Sequence, residues 1–472
     1  MKLGGGNMAI RKTESNVNTG SEVLEVQGAQ IGFKEKVGYG LGDVASNLVF
    51  AAISDFLVFY YTDVAGASAA TIGTIILLSR LLDGFTDIGM GFIVDKTNSK
   101  HGKARPWMLW LAIPFTLSAI MLFTVPDLGG VGMLIYIAIT YNLVHIIYTA
   151  INIPYGVLNA RMTQDSYQRA TLNIFRMFGA LLATVTIMFL TIPLVEMFGG
   201  GQKGWTITFT IFGILAGILF LITFSTTKER VTAVNAEESK VPLKKGMKAL
   251  FKNKYWALMV LFSLVTYTVN GLNAGLGVYY AQYILDNPAL VGPLGFAGLF
   301  PVMIGLLFVA PIIKKFGKRN SMIIGLILGI IGTVIIAINP TSFTLVLIGS
   351  VVRGIGGVPV AASFFAMLAD TIEYGEWKTG IRTEGLVYSA GSFGTKVGSG
   401  LGAAAMGWFL ALGGYVGGVA EQTDSAINMI MFLFIWAPAI IAIIQIAILA
   451  FYKLDKIYPQ ILADLQSRKE DQ

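Results

Sequence analysis

The chain has 472 residues, of which 55% are hydrophobic and 13% charged, and its mean hydropathy is +0.69. A soluble protein carries about a quarter charged residues, so the composition excludes an ordinary water-soluble domain. Lys and Arg outnumber Asp and Glu by 34 to 27, but they are spread over short segments between apolar stretches, which argues against a nucleic-acid partner. The chain contains no cysteine, so disulfides and thiol chemistry are excluded.

Apolar stretches of about twenty residues or more recur along the chain, among them Trp107–Val125, Gly204–Phe224 and Ile427–Phe451. A helix needs about 20 apolar residues to cross a bilayer, because its backbone groups must bond within the segment. We therefore predict an all-α integral membrane protein with twelve transmembrane helices. The predicted spans lie near residues 38–62, 70–95, 106–126, 130–160, 168–198, 204–225, 255–286, 292–313, 320–339, 343–370, 384–416 and 426–452.

Basic residues occupy alternate loops between these spans, and acidic residues dominate the intervening loops. The basic loops contain Lys34 and Lys36; Lys96, Lys100, Lys103 and Arg105; Arg161 and Arg169; the 226–254 stretch; Lys314, Lys315, Lys318 and Arg319; and Lys378 with Arg382. By the positive-inside rule, both termini and the 226–254 stretch are predicted to be cytoplasmic. The sequence thus predicts a multi-pass protein of a bacterial inner membrane, with the lipid bilayer as its environment.

The charged 226–254 stretch divides the chain into two halves of six spans each. Two parallel six-helix repeats around such a loop are typical of the major facilitator fold, in which the substrate site lies between the halves. The predicted organisation is listed in order: a flexible cytoplasmic tail at 1–33, an N-terminal bundle at 34–225, a central loop at 226–254, a C-terminal bundle at 255–456 and a cytoplasmic tail at 457–472. We expect a functional monomer.

Charged residues within a span are costly in a bilayer and indicate function. Arg80, Asp83 and Asp87 lie on one face of span 2, because their spacing is i, i+3 and i+7. Two carboxylates one turn apart, with Thr86 between them, suit a hard cation such as Na⁺, or a proton. The alternative is that Asp83 and Asp87 pair with Arg80 and other basic residues and hold helices together.

Polar residues in other spans are further candidates for a functional site. Asn47 lies in span 1, Asn152 and Thr149 precede Pro154 in span 4, Arg176 lies in span 5 and Lys396 in span 11. The planar guanidinium of Arg176 is well suited to sugar hydroxyls or to a carboxylate. Two alternatives stay open: Arg176 pairs helices, and Lys396 pairs with a carboxylate of span 1 or span 2.

A run of charges closes span 10 on the predicted cytoplasmic side. The segment DTIEYGEWKTGIR contains Asp370, Glu373 and Arg382, and we assign these residues, together with Arg80, to a charge network or gate. The chain has no G-x-x-x-x-G-K-[ST] sequence, so we predict gradient-driven transport without a cofactor other than the coupling cation.

Five longer patterns occur in family order between about Lys34 and Lys456: VGYGLGD, FYYTDVAG, SRLLDGFTD followed by GKARPW, INIPYG, and DTIEYGEWKTGIRTEG. On these motifs the chain resembles the glycoside–pentoside–hexuronide:cation symporters, a major facilitator branch that includes the melibiose carriers. The resemblance implies uptake of a sugar glycoside by alternating access, coupled to Na⁺ or H⁺. It also implies a cation site at Asp83, Asp87 and Thr149, with Thr86 in place of an asparagine. Further, it implies a sugar site, whose residues are Asn47, Asn152, Arg176 and Lys396.

The sequence departs from the melibiose carriers at the implied sugar site. Asn47 and Asn152 replace two sugar-binding aspartates, Ser46 replaces a lysine and Gly156 a tryptophan. Loss of two carboxylates beside Arg176 predicts a more positive cavity, and the GDVASN and NIPYG segments resemble the glucuronide-carrier branch. A hexuronide such as a β-glucuronide is therefore the first predicted substrate.

A neutral pentoside or disaccharide is the alternative substrate, because asparagine amides bond hydroxyls well. Two alternatives come from other classes of protein: a sugar sensor with a transporter fold, and a lipid carrier. We do not expect an enzyme, since the sequence shows no nucleophile–base pair and no cluster of metal ligands.

Overall fold

The computed structural model describes residues 30–231 and 243–470, and the regular structure in these ranges is helical. The helices of the first half are α1 (Phe33–Phe59), which continues in a π-helical turn at Tyr60–Val64, α2 (Ala69–Lys96), α3 (Arg105–Leu122), α4 (Gly129–Met162), α5 (Ser166–Met197) and α6 (Gly201–Thr226). The helices of the second half are α7 (Leu243–Phe251), α8 (Lys254–Tyr283), α9 (Val291–Phe316) after a 3₁₀ turn, α10 (Lys318–Ile338), α11 (Phe343–Thr379), α12 (Glu384–Leu412), α13 (Asp424–Met431), a π-helical turn at Phe432–Trp436, α14 (Ala437–Phe451) and α15 (Leu454–Glu470).

Each of the twelve predicted spans falls on a long helix. Within the described residues, ten helical segments are long and apolar enough to cross a membrane. Helices α2 and α12 are 28 and 29 residues long but are not among those ten. Helix α2 carries the charges of the predicted site, and α12 is rich in glycine and serine. The all-α membrane architecture is confirmed, while the count of twelve stays a prediction for these two helices.

The predicted connecting segments contain some regular structure. Most of the predicted N-terminal tail, residues 1–29, lies outside the described residues, as does 232–242 of the central loop. The rest of that loop includes α7, a helix of 9 residues. At the C-terminus, where we expected a tail at 457–472, α15 packs against α11. There the Trp377 indole donates a hydrogen bond of 2.9 Å to Asp464.

Capping and glycine residues set several helix ends. The Asp165 carboxylate accepts hydrogen bonds from the backbone N–H groups of Tyr167 and Gln168, which have no partner within the first turn of α5. Gly380 ends α11 at φ +70°, a left-handed conformation that favours glycine. These local sequence features fix where the long helices begin and end, independently of how the helices pack.

Within the described residues the two halves are separate bundles, and three helix pairs make most of the contacts between them. In the first half α1 packs on α5 and α6, and in the second α8 packs on α12 and α10 on α11. Between the halves, α2 contacts α12, α1 contacts α8, and α5 contacts α9. The candidate site residues lie on these inner helices and on α4.

Among the residues that the structure describes, the closest backbone contacts between the halves lie at one end. A Cβ on Gly407 would lie 2.2 Å from the Ala69 carbonyl oxygen, and one on Gly292 would lie 2.9 Å from that of Met188. Toward the other end of α2, a Cβ on Gly84 or Gly91 would meet no atom within 4 Å. With the predicted orientation, the closed end is periplasmic and the open end is cytoplasmic, which is an inward-facing conformation.

Close backbone contact between α10 and α11 depends on the absence of a side chain. A Cβ on Gly356 would lie 2.4 Å from the Gly325 carbonyl oxygen, whereas one on Gly357 would lie 3.7 Å from Val302. We expect Gly356→Ala to lower the melting temperature of the purified protein by several degrees, because overpacking costs about 1–3 kcal/mol. Gly357→Ala is the matched control, and equal melting curves for the two variants would contradict this packing.

Candidate cation and sugar site

The charged residues of α2 meet α4 and α12. Asp87 accepts a hydrogen bond of 3.1 Å from the Thr149 hydroxyl on α4 and forms an ion pair with Lys396 on α12. One turn away, Asp83 lies 3.4 Å from the guanidinium of Arg80 and 3.7 Å from Nδ1 of His145. The structure therefore brings together Asp87 and Thr149 of the predicted cation site, and places Lys396 at the same carboxylate.

The groups around Asp83 and Asp87 determine which ions could bind at this position. Among the described residues, no group of three or more His, Cys, Asp or Glu side chains could hold a metal ion. The Thr86 hydroxyl donates to the Asp83 carbonyl at 2.9 Å, so its proton is used within α2 while its oxygen can still accept. A Na⁺ ion here would depend on two carboxylates and on hydroxyl or carbonyl oxygens.

Arg176 forms an ion pair with Asp43 across the α1–α5 contact. Nε of Arg176 lies 2.6 Å from one carboxylate oxygen, and its NH2 group lies 3.4 Å from the other. The guanidinium also lies over the ring of Tyr155, 4.6 Å from its centroid. The prediction of a more positive cavity assumed an unpaired Arg176, whereas here Asp43 compensates its charge.

The two asparagines of the predicted sugar site lie near this ion pair. The Asn47 amide donates to the Asp43 carbonyl of its own helix at 2.9 Å, and the Asn152 amide donates to the Ser46 hydroxyl at 3.3 Å. Asn152 and Thr149 lie three residues apart on α4, and residues at this spacing share a helix face. One face of α4 therefore contributes to both predicted sites.

Three cations and three carboxylates are paired across the predicted sites: Arg80 with Asp83, Lys396 with Asp87, and Arg176 with Asp43. Because isolated charges are costly inside a membrane, this pairing reduces the cost of burying them. The pairs of Arg176 with Asp43 and of Lys396 with Asp87 each join two helices, as the alternative predictions for these two residues describe. Pairing and a role in binding are compatible, because a ligand can exchange with one partner.

A cavity of about 300 Å³ lies between the halves. Its lining includes Phe50, Ser54 and Arg80 of the first half and Tyr267, Asn270, Thr395 and Ser399 of the second. Arg80 thus connects the cation site to the space between the bundles, and Thr395 and Ser399 flank Lys396 along α12. The geometry fits a substrate bound beside the cation site.

The predicted charge network lies within the second half. Asp370 pairs with Lys318 at 2.6 Å, and Arg382 pairs with Glu376 at 2.7 Å and with Glu373 at 3.5 Å. Arg80 instead lies beside Asp83 and the Phe50 ring, because it lies midway along α2, far from the end of α11. The assignment of Arg80 to a charge network or gate stays a prediction.

At the closed end, a cluster that the sequence reasoning missed joins the halves. The Asp63 carboxylate, just after α1, accepts hydrogen bonds from the hydroxyls of Tyr283 and Tyr415, and from Thr62 at 2.6 Å. The Thr62 hydroxyl also lies 2.8 Å from that of Tyr279. Asp63 falls in the loop between the predicted spans 38–62 and 70–95. The signal was an acid directly after an apolar span, with Tyr279 and Tyr283 one turn apart on α8.

Two helical bundles, a cavity between them and paired charges at mid-helix define a secondary transporter of the major facilitator type. A solved crystal structure of the nucleoside transporter NupG has the same fold with a TM-score of 0.63 at 15% identity, covering 89% of this chain and 100% of that one.

The family described as MFS/sugar transport protein matches residues 38–456, so the chain belongs to that family. It is 36% identical to the isoprimeverose transporter of Lactiplantibacillus pentosus over 92% of each chain. It is 33% identical to the glucuronide carrier protein homolog of Escherichia coli strain K12, over 94% of this chain and 97% of that one. The protein is a multi-pass membrane transporter of the sugar-transport class and not an enzyme.

The Asp63 cluster leads to a test of the closed end. A cysteine is introduced at Ser54, in the cavity between the halves, and an impermeant thiol reagent is added on the periplasmic side. We expect Asp63→Asn to raise the labelling rate severalfold, because the neutral amide accepts weaker hydrogen bonds from Tyr283 and Tyr415. The native chain has no cysteine, so labelling has no background. Asp286→Asn, at an exposed loop position, is the control; equal labelling in both variants would show that Asp63 does not hold this end closed.

Proposed function

We propose that the protein is a cation-coupled symporter that takes up a neutral glycoside by alternating access. The observation that supports a neutral substrate is the pairing of Arg80, Arg176 and Lys396 with Asp83, Asp43 and Asp87. A site in which each cation has a carboxylate partner favours hydroxyl groups over a charged sugar. An anionic ligand would have to displace a carboxylate or leave its own charge uncompensated.

The coupling cation, Na⁺ or H⁺, binds at Asp83 and Asp87 in this proposal. The Lys396 ammonium group pairs with Asp87 in the inward-facing conformation and takes the place of the cation. A cation that binds Asp87 releases Lys396, whose ammonium group then donates to the sugar hydroxyls. Sugar binding must in turn tighten cation binding by the same factor, because such coupling is reciprocal.

The sugar binds between the halves, close to Asn47, Asn152 and Arg176. Beyond their bonds to Asp43 and Ser46, the amide groups of Asn47 and Asn152 each offer an oxygen and a second N–H donor, which match hydroxyl groups in both directions. Tyr155 and Tyr39 hold the guanidinium of Arg176 by ring contacts at 4.6 and 5.8 Å, so its remaining donors keep a fixed direction. Opening of the closed end and closure of the cytoplasmic end complete the transport cycle.

A hexuronide is the second candidate, and the glucuronide carrier homolog among the relatives favours it. In that case the uronate carboxylate would compete with Asp43 for Arg176. The two candidates therefore differ in one respect that can be measured: whether transport requires a negative charge on the sugar.

Counterflow in proteoliposomes tests the proposal directly. A panel of labelled neutral pentosides, disaccharides and β-glucuronides is offered with and without Na⁺, and at two pH values. We expect neutral glycosides to be exchanged and a Na⁺ or proton gradient to drive their accumulation. Exchange of glucuronides alone would overturn the neutral assignment, and sugar binding without flux would indicate a sensor. Flux of lysolipid in place of sugar would indicate a lipid carrier.

A substitution at Asp87 tests the cation site. We expect Asp87→Asn to abolish gradient-driven accumulation while downhill exchange continues, because the amide cannot exchange Lys396 for a cation. Asp127→Asn, which changes the same charge at an exposed loop position, is the control and should accumulate sugar as the native chain does. Uphill transport that survives in the Asp87 variant would remove this residue from the coupling site.

A further inference from the structure

A second and larger cavity, of about 550 Å³, lies within the C-terminal bundle between α8, α9, α10, α11 and α14. We call it the C-terminal cavity. Its size falls within the range of small-molecule sites, roughly 300–1,000 Å³. Tyr267 and Asn270 of α8 line both this cavity and the cavity between the halves, so the two spaces adjoin at these side chains.

Unpaired amides project from α8 into the C-terminal cavity. Asn270 and Asn273 lie three residues apart, line the cavity and are exposed in it. Within the part of the chain that the structure describes, neither side chain makes a hydrogen bond. Amide groups in an apolar helix that are not bonded to protein need water or a ligand, because an unsatisfied polar group in a membrane protein is costly.

A third amide comes from α14, the helix that packs beside α8. Gln445 of α14 is 4% exposed, and its amide donates a hydrogen bond of 2.7 Å to the Thr266 hydroxyl, which itself donates to the Phe262 carbonyl. This chain fixes the direction of Gln445 and leaves its amide oxygen as an acceptor. Donors and acceptors on two walls of one cavity are suited to a ring with hydroxyl groups on several sides.

Aromatic and aliphatic side chains form the rest of the lining. The rings of Tyr267 and Phe364 are arranged edge to face with centroids 6.4 Å apart, and Phe365 adjoins Phe364 at 4.9 Å. Apolar walls with a few convergent polar groups are typical of small-molecule sites. The C–H face of a sugar ring is apolar and fits against such walls, while its hydroxyls reach the amides.

The arginine of this cavity has its donors committed to the protein. Arg353 donates two hydrogen bonds to the Thr333 hydroxyl and one each to the carbonyls of Phe434 and Ile435, at 2.9–3.1 Å. Those carbonyls belong to the π-helical turn at Phe432–Trp436, where the regular pattern of α-helical bonds is interrupted. Four of its five N–H groups are thus occupied, so recognition in this cavity rests on the amides rather than on the guanidinium.

We propose that the C-terminal cavity is a subsite for the second ring of the substrate, either an aglycone or a second sugar, with hydroxyl groups that Asn270, Asn273 and Gln445 bind. This inference rests on the proposed function, since it presumes that the first ring binds in the cavity between the halves. It restricts the substrate class to glycosides with two rings.

Binding of matched ligand pairs to the purified full chain tests the subsite by calorimetry. Each pair is a disaccharide and the methyl glycoside of the same glycosyl unit: xylobiose with methyl β-xyloside, and melibiose with methyl α-galactoside. We expect the native chain to bind one of the disaccharides at least tenfold more tightly than its methyl glycoside. In the variant N273A, whose side chain lines the C-terminal cavity and not the cavity between the halves, the Kd for that disaccharide should rise tenfold or more, while that for the methyl glycoside should change less than twofold.

Two further variants complete the test. Asn98→Ala, at an exposed loop position, is the matched control and should bind both ligands as the native chain does. Val302→Phe places a ring in the C-terminal cavity without removing an amide, and should weaken the disaccharide alone. Native binding that does not distinguish the pair, equal losses for both ligands, or an unchanged disaccharide Kd in the variants would overturn the subsite. Because binding requires no gradient, loss of coupled uptake with selective binding intact would count against the symport proposal alone.

Discussion

The ion pair between Asp87 and Lys396 connects the two halves through two of their inner helices, α2 and α12. Helix α2 belongs to the first bundle and α12 to the second, so this contact crosses the interface between the two bundles. Its partners explain the surrounding composition: Thr149 bonds the same carboxylate, and small residues on α12 allow α2 to approach closely. Because an unpaired charge is costly inside a bilayer, the need to keep Asp87 and Lys396 paired constrains how α2 packs against α12.

The sequence predicted the positions of the helices better than it predicted which side chains pair with each other. Long apolar runs locate the spans to within a few residues, because crossing a bilayer requires length and hydrophobicity that are visible in any window of the chain. The positions Asp83, Asp87 and Thr149 also stood out, since polar side chains are rare in such runs. What the sequence did not supply was pairing: Asp43 lies 133 residues from Arg176, and no sequence pattern indicates that the two residues meet.

The same limitation explains the residues that were missed. Asp63 was assigned to a loop by charge alone, yet it binds Tyr283 and Tyr415, which lie more than two hundred residues further along the chain. Asn270 and Asn273 lie in a span with otherwise ordinary hydropathy, and only the three-dimensional arrangement shows that they line a cavity. A pattern of one or two polar residues per span cannot distinguish a cavity wall from a helix contact.

In the proposed mechanism, sugar and cation influence each other because α4 contributes to both proposed sites. Thr149 bonds Asp87, and Asn152, almost one turn later, bonds Ser46 beside the Asp43–Arg176 pair. A cation that changes the position of Asp87 or Lys396 therefore acts on a helix that also contacts the sugar residues. No long pathway is needed, since the coupling passes through one turn of one helix. Because the Asp87–Lys396 pair also spans the two bundles, the same exchange of partners that changes sugar affinity changes the contact between the halves.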